Sequence, residues 1–464
     1  MNRTPDSTGA HGHVRVLVPV GMLGGGFAET EVARGIALGA DVIAVDAGST
    51  DSGPFYLGAA EPKTTRSAVL RDMRVILRHA KAAGIPVLVG SCGTSGTDLG
   101  VDWLDEICRQ VSAEERLTFR TARIYSEQDP RVIQRKLADG RTHALPPAEP
   151  LTAENIDRCE HIVGLMGHEP LVEALAEGAD LVLAGRCTDT ALIAALPLMR
   201  GMPAGPSWHA GKIAECGGLC TTGNGWGGVL VTVDGSGFEV ESLDEATACT
   251  PRSVAAHMLY ENADPFRMRE PSGWLDVKGA SYAALDSRRV RVEGSRFEPV
   301  ERQTIKLEGA AVLGYQTVSI VGIRDDCVVA RIGEWTSSLE AFLAERIPDV
   351  MGLAPADYEV VLKAYGQNAV LGEIDHDGKP AREIGVVFCA TAASQERATA
   401  IAKFANPYLL HHPLPEMTHV PSWSFTFSPA EMERGRVFGF VLNHSVEVDS
   451  PGELFRIDLT SVAP

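Results

Sequence analysis

Six short, β-rich apolar runs recur through the first half of the chain, each ending in a glycine-rich or polar turn. They are VRVLVPV (14–20), DVIAVDAG (41–48), PVLVGSCG (86–93), RTARIYSE (120–127), HIVGLMG (161–167) and DLVLAGRC (180–187). Most are continuously apolar rather than alternating, which suits strands buried on both faces of a parallel sheet. Helical patterns such as ETEVARGIALG, RSAVLRDMRVILRHAKAAG and EPLVEALAEGA lie between them and end at Gly-Ile-Pro or Gly-Ala-Asp. These are helix stop signals. The alternation predicts an α/β fold whose N-terminal βα-repeat domain is mostly parallel, either doubly wound or barrel-like.

The text changes at AECGGLCTTGNGWGG (214–228), where glycine density argues against a regular element. Beyond it, GVLVTVDGSGFEVESL and RRVRVEGSRFEPV alternate and carry hairpin turns. The expected domains are therefore a substrate-binding βα-repeat domain at 1–225 and an α+β domain with antiparallel sheet at 226–464. Helices are expected there at 335–346 and 393–404. Glu373-x-Asp375-x-Asp377-Gly378 has the start of a calcium loop, but Ile384 stands where the twelfth-position Glu belongs, so a hairpin turn is the better reading.

The chain has 464 residues and a formal net charge of −19. Such a surface repels phosphate backbones and anionic bilayers, so neither nucleic acid nor a membrane is expected as partner. The nine cysteines are irregularly spaced without a CxxC, which suits reduced thiols in a cytoplasmic protein. No apolar stretch approaches the ~20 residues of a membrane span. A homo-oligomer is the base expectation for a soluble enzyme.

In a parallel α/β domain the binding crevice lies beyond the carboxyl ends of the strands. That rule turns the strand ends into candidates: Gly24, Gly25 and Gly26; Asp46, Ser49, Thr50 and Asp51; Cys92, Gly93 and Thr94; Ser126 and Glu127; His168; Arg186 and Asp189. Glu215 and Asn224 in the glycine-rich stretch join them. Any one of these acids could instead cap a helix or close an Asx-turn. Arg186 is a planar fork suited to anchoring a carboxylate or phosphate, or to an ion pair with Asp189 or Asp46. Asp46, Asp51 and Glu215 are candidates for acid/base chemistry. Asp46, Asp51 and Asp189 could alternatively hold Mg²⁺ or Mn²⁺ through oxygen ligands. Cys92, ahead of an expected helix, is a candidate nucleophile, and His444 is one that could reach the cleft from the late chain. The glycines would let backbone N–H groups approach an anion.

Two short motifs compete for the first turns. VGMLGGGFAE followed by Asp46 has the outline of a dinucleotide site, but the G-x-G-x-x-G spacing fails at Leu23 or Glu29. DAGSTDSG (46–53) resembles the phosphate motif of actin-like ATPases, although Pro54 stands where a hairpin strand should continue. No NAD, PLP or haem signature is present.

A longer pattern is more specific. GGGFAETEVARGIALGADVIAVDAGSTDSGPFYLG, GSCGTSG, LAGRCTDTA, IAECGG and VLNHSVEV together resemble the acyclic terpene utilisation AtuA-like family over Val14 to Val448. The family is named for bacterial breakdown of citronellol- and geraniol-type terpenes through acyl-CoA intermediates. The resemblance, joined to the residues above, implies a catabolic lyase or hydratase acting on an anionic small molecule, either a branched carboxylate or its CoA thioester. Two alternatives stand beside it: an ATP-dependent activating enzyme using the Asp-Ala-Gly-Ser-Thr turn, and a non-catalytic subunit that docks a partner protein.

Overall fold

The computed structural model describes residues 12–223, 226–260, 262–367, 369–372, 381–419 and 423–462. The apolar runs are continuous because alternate residues of one strand feed two different cores. Val42 and Ala44 enter one and Ile43 and Val45 the other; Val182 and Ala184 are likewise separated from Leu181 and Leu183. Helices Glu29–Ala37, Arg66–Ala83 and Asp98–Glu115 supply the second of these cores, while Asp189–Met199 and Ala204–Ala214 supply the first. A sheet covered on both faces in this way is doubly wound.

Five strands pair in parallel, in the order His13–Val18, Val42–Asp46, Val87–Gly90, Leu181–Ala184, Phe119–Tyr125. The chain steps outward through the first three, skips one position to Phe119–Tyr125, and returns to insert Leu181–Ala184 into the gap. Right-handed crossovers place the helices of the outward and returning paths on opposite faces. The sheet is open, ending at Ser281–Ala284 on one side and Arg456–Val462 on the other, so the barrel alternative falls away.

Two sequence expectations are corrected. His161–Leu165 does not join the parallel set; it pairs antiparallel with Thr304–Ile323. Its end residues are partly exposed, whereas the central strands are buried along their length. Nor does the glycine-rich stretch separate two sheets. Val229–Asp234 runs antiparallel to His13–Val18, and Gly237–Ser242, Arg289–Glu293 and Ser281–Ala284 extend the same sheet.

The compact units divide elsewhere. One comprises the chain up to Ala311 together with the segment from Phe440; the other is Val312–Gly439. In the smaller unit, antiparallel strands Ile384–Ala392 and Tyr358–Tyr365 and the later part of Thr304–Ile323 share a core with helices Ile332–Met351 and Gln395–His411. This is the antiparallel α+β arrangement expected of the second half, with both helices near their expected places. The Asp377-Gly378 turn lies outside the described residues. Among the described residues no helix is long and apolar enough to cross a membrane.

Candidate active-site cleft

The strand Val42–Asp46 is buried throughout and delivers Asp46, 7% exposed, to its carboxyl end. Gly48, at φ +140°, turns its N–H back onto Asp46 Oδ2 at 2.8 Å. A Cβ there would meet Thr94 Cα at 2.7 Å, so the turn requires glycine. Asp46 Oδ1 is buried and accepts no hydrogen bond. Burial, and then the charge of Asp189, push the Asp46 carboxyl well above the usual carboxylate range against the weaker pull of Gly48 and Arg186. The chain continues into a 3₁₀ turn, Thr50–Ser52, and a helix, Pro54–Ala59. The hairpin of an actin-like phosphate site is therefore not formed.

Arg186 follows the strand Leu181–Ala184, and its side chain donates four hydrogen bonds within the protein. Its Nε donates to Glu308 Oε2 at 3.0 Å, one terminal nitrogen to Ser91 Oγ at 3.3 Å and the Cys187 carbonyl at 3.4 Å, and the other to Thr50 Oγ1 at 3.2 Å. Glu308 Oε1 meets Lys306 Nζ at 2.7 Å. Burial alone would raise the Glu308 carboxyl, but Arg186 and Lys306 hold it down at about 2. Arg186 thus ties three strand ends together. Its carboxylate partner is Glu308 rather than Asp46 or Asp189, and most of its N–H groups are taken by protein acceptors although it still lines the cleft beyond the strand ends.

The cleft beyond these strand ends has two lobes that share Asp51 and Asp189. The first, of about 420 Å³, combines Asp46, Ser49 and Gly25 with the apolar side chains of Met22, Leu219, Trp226 and Tyr260. Trp226 is 67% exposed, Leu219 45% and Tyr260 43%. The second, of about 490 Å³, is ionic: Lys212, Arg269 and Lys306 face Glu215 and Glu270. Asp189 sits between them because it opens the helix Asp189–Met199, whose N-cap Thr188 accepts from Ala191 N–H at 3.2 Å.

Glu270 reaches the cleft from the tight turn between Arg267–Glu270 and Gly273–Asp276. Its Oε1 accepts from Thr190 Oγ1 at 2.8 Å, and Oε2 is buried without a partner. Burial pushes its carboxyl up to about 7. Lys212 lies in the last turn of Ala204–Ala214. Gly211 lets this helix approach its neighbour, since a Cβ there would meet the Thr190 carbonyl oxygen at 2.5 Å. Lys212 pairs with Glu215, whose carboxyl is pushed up to about 8 by burial despite that lysine.

Several expected site residues have other work. The N–H groups of Gly24 and Gly26 donate to Asp72 Oδ2 at 2.8 and 3.2 Å, so this glycine turn already holds an anion, an internal one. Gly93 serves close packing, since a Cβ would meet Gly100 Cα at 2.4 Å. Thr94 Oγ1 accepts from Lys63 N–H at 2.8 Å. Cys92 is completely buried with its thiol toward the Val89 carbonyl, and burial pushes it well above the ordinary thiol range. It is not a poised nucleophile. His444 is bound on both ring nitrogens, by Asn443 N–H at 3.0 Å and the Glu149 carbonyl at 2.9 Å, and stands away from the cleft. Asn224 lies outside the described residues. Asp46, Asp51 and Asp189 do line one lobe. Among the described residues, however, the metal-ligating atoms that converge within 4.8 Å belong to Glu215, Cys216 and His257.

A larger hollow of about 590 Å³ by Arg141, Arg302 and Glu447 is distant from this chemistry, and its arginines are paired with Asp449 and Glu447.

A family model described as acyclic terpene utilisation family protein AtuA matches residues 60–420, well over half of the chain. The chain belongs to the AtuA family. Comparison with curated proteins and with solved structures gives no match. The match covers Arg186, Asp189, Lys212, Glu215, Glu270 and Glu308, so the ionic half of the cleft is part of the AtuA-family region.

Proposed function

We propose that this AtuA-family protein is a lyase or hydratase acting on a branched carboxylate or its CoA thioester. The observation that carries the reading is the two-part cleft. An apolar wall of Met22, Leu219, Trp226 and Tyr260 adjoins a lobe lined by four cations, Arg186, Lys212, Arg269 and Lys306. A branched hydrocarbon fits the first and an acyl anion or thioester the second. Asp46, buried and with Oδ1 unpartnered, lines the first lobe and exchanges the proton. Glu270, whose protonation changes near neutrality, is the complementary acid. The anchoring role suggested for Arg186 passes to Arg269, because Arg186 and Lys306 already pair with Glu308 and Lys212 with Glu215.

Addition of water to a double bond, or its loss, needs a base at one carbon and an acid at the leaving or arriving oxygen. Two carboxyls that favour the protonated form through burial can alternate in those roles. The test is a thermal-shift panel of linear and branched carboxylates, their CoA thioesters, and ATP with Mg²⁺. It is followed by NMR of solvent deuterium entering the ligand that binds. The reading expects stabilisation by branched acids or thioesters and exchange at carbon. A ligand held at about 100 times its dissociation constant adds roughly 2.7 kcal/mol, which a melt detects. Stabilisation by ATP and Mg²⁺ alone, or binding without exchange, would overturn it.

A further inference from the structure

The helix Ala204–Ala214 ends at Glu215, and the chain passes directly through Cys216 into a 3₁₀ turn at Gly217–Cys220. Gly21 permits this close passage, since a Cβ there would meet the Cys216 carbonyl oxygen at 2.7 Å. From the far side of the glycine-rich stretch comes the helix Pro251–His257, fixed at its start by a capping box of Thr250 and Ser253. These two segments bring a carboxylate oxygen of Glu215, the Cys216 sulfur and a ring nitrogen of His257 within 4.8 Å of one another.

We propose that Glu215, Cys216 and His257 form a binding site for a zinc-type divalent cation. A further observation points the same way. His257 is 4% exposed and its Nε2 is buried with no hydrogen-bond partner. A buried imidazole nitrogen normally finds a partner, and one left without it is a ready metal ligand.

The donor set selects the metal. One nitrogen, one sulfur and one oxygen suit a borderline-soft ion such as Zn²⁺, where magnesium and manganese prefer all-oxygen shells. Tetrahedral ligation with bonds of about 2.0–2.3 Å sets donor atoms roughly 3.3–3.8 Å apart, so small side-chain rotations close the site. Binding is balanced by proton release to solvent: the Cys216 thiol gives up its hydrogen as its sulfur bonds to the ion, and Glu215 gives up the proton that burial favours on it. The resulting thiolate and the Glu215 carboxylate neutralise the two positive charges, and His257 joins as neutral imidazole. Lys212 stays on Glu215 as its outer partner.

Cys216 lines the apolar lobe and Glu215 the ionic lobe, so the ion would sit between them. Three protein ligands leave a fourth position for water or a substrate oxygen, the arrangement of catalytic rather than structural zinc. The site stands on its own geometry and does not depend on the reaction proposed for the cleft.

The experiment strips the full-length protein with a chelator, adds back Zn²⁺ or Co²⁺, and measures metal retained through gel filtration together with the Co²⁺ absorption spectrum. The expected result is one ion per chain, a thiolate-to-cobalt charge-transfer band, and release of between one and two protons per ion near neutral pH in weak buffer. Cys216→Ser should abolish the band and weaken binding at least about tenfold, with folding unchanged by circular dichroism. His257→Gln should weaken binding similarly; if that buried variant fails to fold, Cys216→Ser decides alone. No retained metal in the wild type, a band that survives Cys216→Ser, or equal displacement by Mg²⁺ would each overturn the proposal. None of these readouts requires turnover, so failure here is distinct from failure of the proposed reaction.

Discussion

The turns that follow His13–Val18 and Val42–Asp46 are alike as sequence. Both leave a buried parallel strand, both are rich in glycine, and both are candidates to bind an anion. In the earlier turn, Gly24 and Gly26 direct their N–H groups at Asp72, whose other oxygen is held by Arg71 Nε at 2.8 Å. Every group is answered from within. In the later turn, Gly48 satisfies one oxygen of Asp46 and leaves the other buried and unanswered at the cleft wall. The earlier turn is closed within the protein, and the later one leaves a buried carboxylate oxygen without a partner. Where the hydrogen bonds go, more than residue type or glycine content, tells the two apart.

The contrast breaks most decisively at Asp46. Asp46→Asn should lower turnover of the identified substrate by about 10²–10⁴-fold, the usual worth of a general acid or base. It should not lower stability. The folded-state pKa of Asp46 lies above its unfolded value, so its contribution is fully present below the unfolded pKa and is lost as pH rises through the folded one. Asparagine stays neutral, so the variant should match the wild type in acid and exceed it in alkali. Thermal melts at about pH 3, below the ordinary carboxylate value, and at about pH 9 check this. A variant both inactive and less stable at every pH would place Asp46 with the structural turn.

Arg186 supplies the next largest effect, and it falls on stability instead of turnover. Arg186→Ala leaves Glu308 buried with Lys306 as its remaining partner. Breaking a buried pair costs about 3–5 kcal/mol, and the lysine places this case toward the lower end. Urea unfolding should show a lower midpoint at unchanged slope. A loss below about 1 kcal/mol, the range of exposed pairs, with a large rise in KM would return Arg186 to the role of substrate anchor.

Asp72→Ala sharpens the comparison from the other side. It removes the acceptor of two backbone N–H groups and should cost about 1–3 kcal/mol with kcat unchanged. Asp72→Asn, which keeps an acceptor oxygen, should lose less. Denaturation midpoints measured beside turnover numbers distinguish this from the Asp46 pattern, in which activity falls and stability does not.

The parallel strands were legible because burial on both faces leaves a run of four or five apolar residues. The rule that sites lie at strand carboxyl ends then reached Asp46, Asp51 and Asp189. Glu308 was not legible as the partner of Arg186, because 122 residues separate them and a strand pairing far outside the repeat brings them together. Glu270 depended on a hairpin turn whose position relative to the first sheet no local pattern encodes. Asp72 did leave a signal. It lies among Val69, Met73, Ile76 and Leu77 on the buried side of its helix. A carboxylate on an apolar face demands a partner, and the glycine turn is where it finds one. Lys212 left the same signal, a cation in a helix that is buried at almost every position.

The smallest effect tests the apolar wall. Trp226 is two-thirds exposed and closes the lobe that holds Asp46, so its truncation removes contact with a ligand without opening the protein core. Trp226→Ala should raise KM for a branched substrate by roughly tenfold or less, in line with the burial of a few methylene equivalents. An interaction made equally in the ground and transition states leaves kcat unchanged. A short unbranched acid does not reach the indole and should be insensitive to the change. Steady-state kinetics on a branched and an unbranched substrate give the four numbers needed. If both substrates lose affinity equally, the indole orders the glycine-rich segment and does not touch the substrate. If kcat falls for the branched substrate alone, the wall also positions the reacting carbon against Asp46, and the two lobes act as one site.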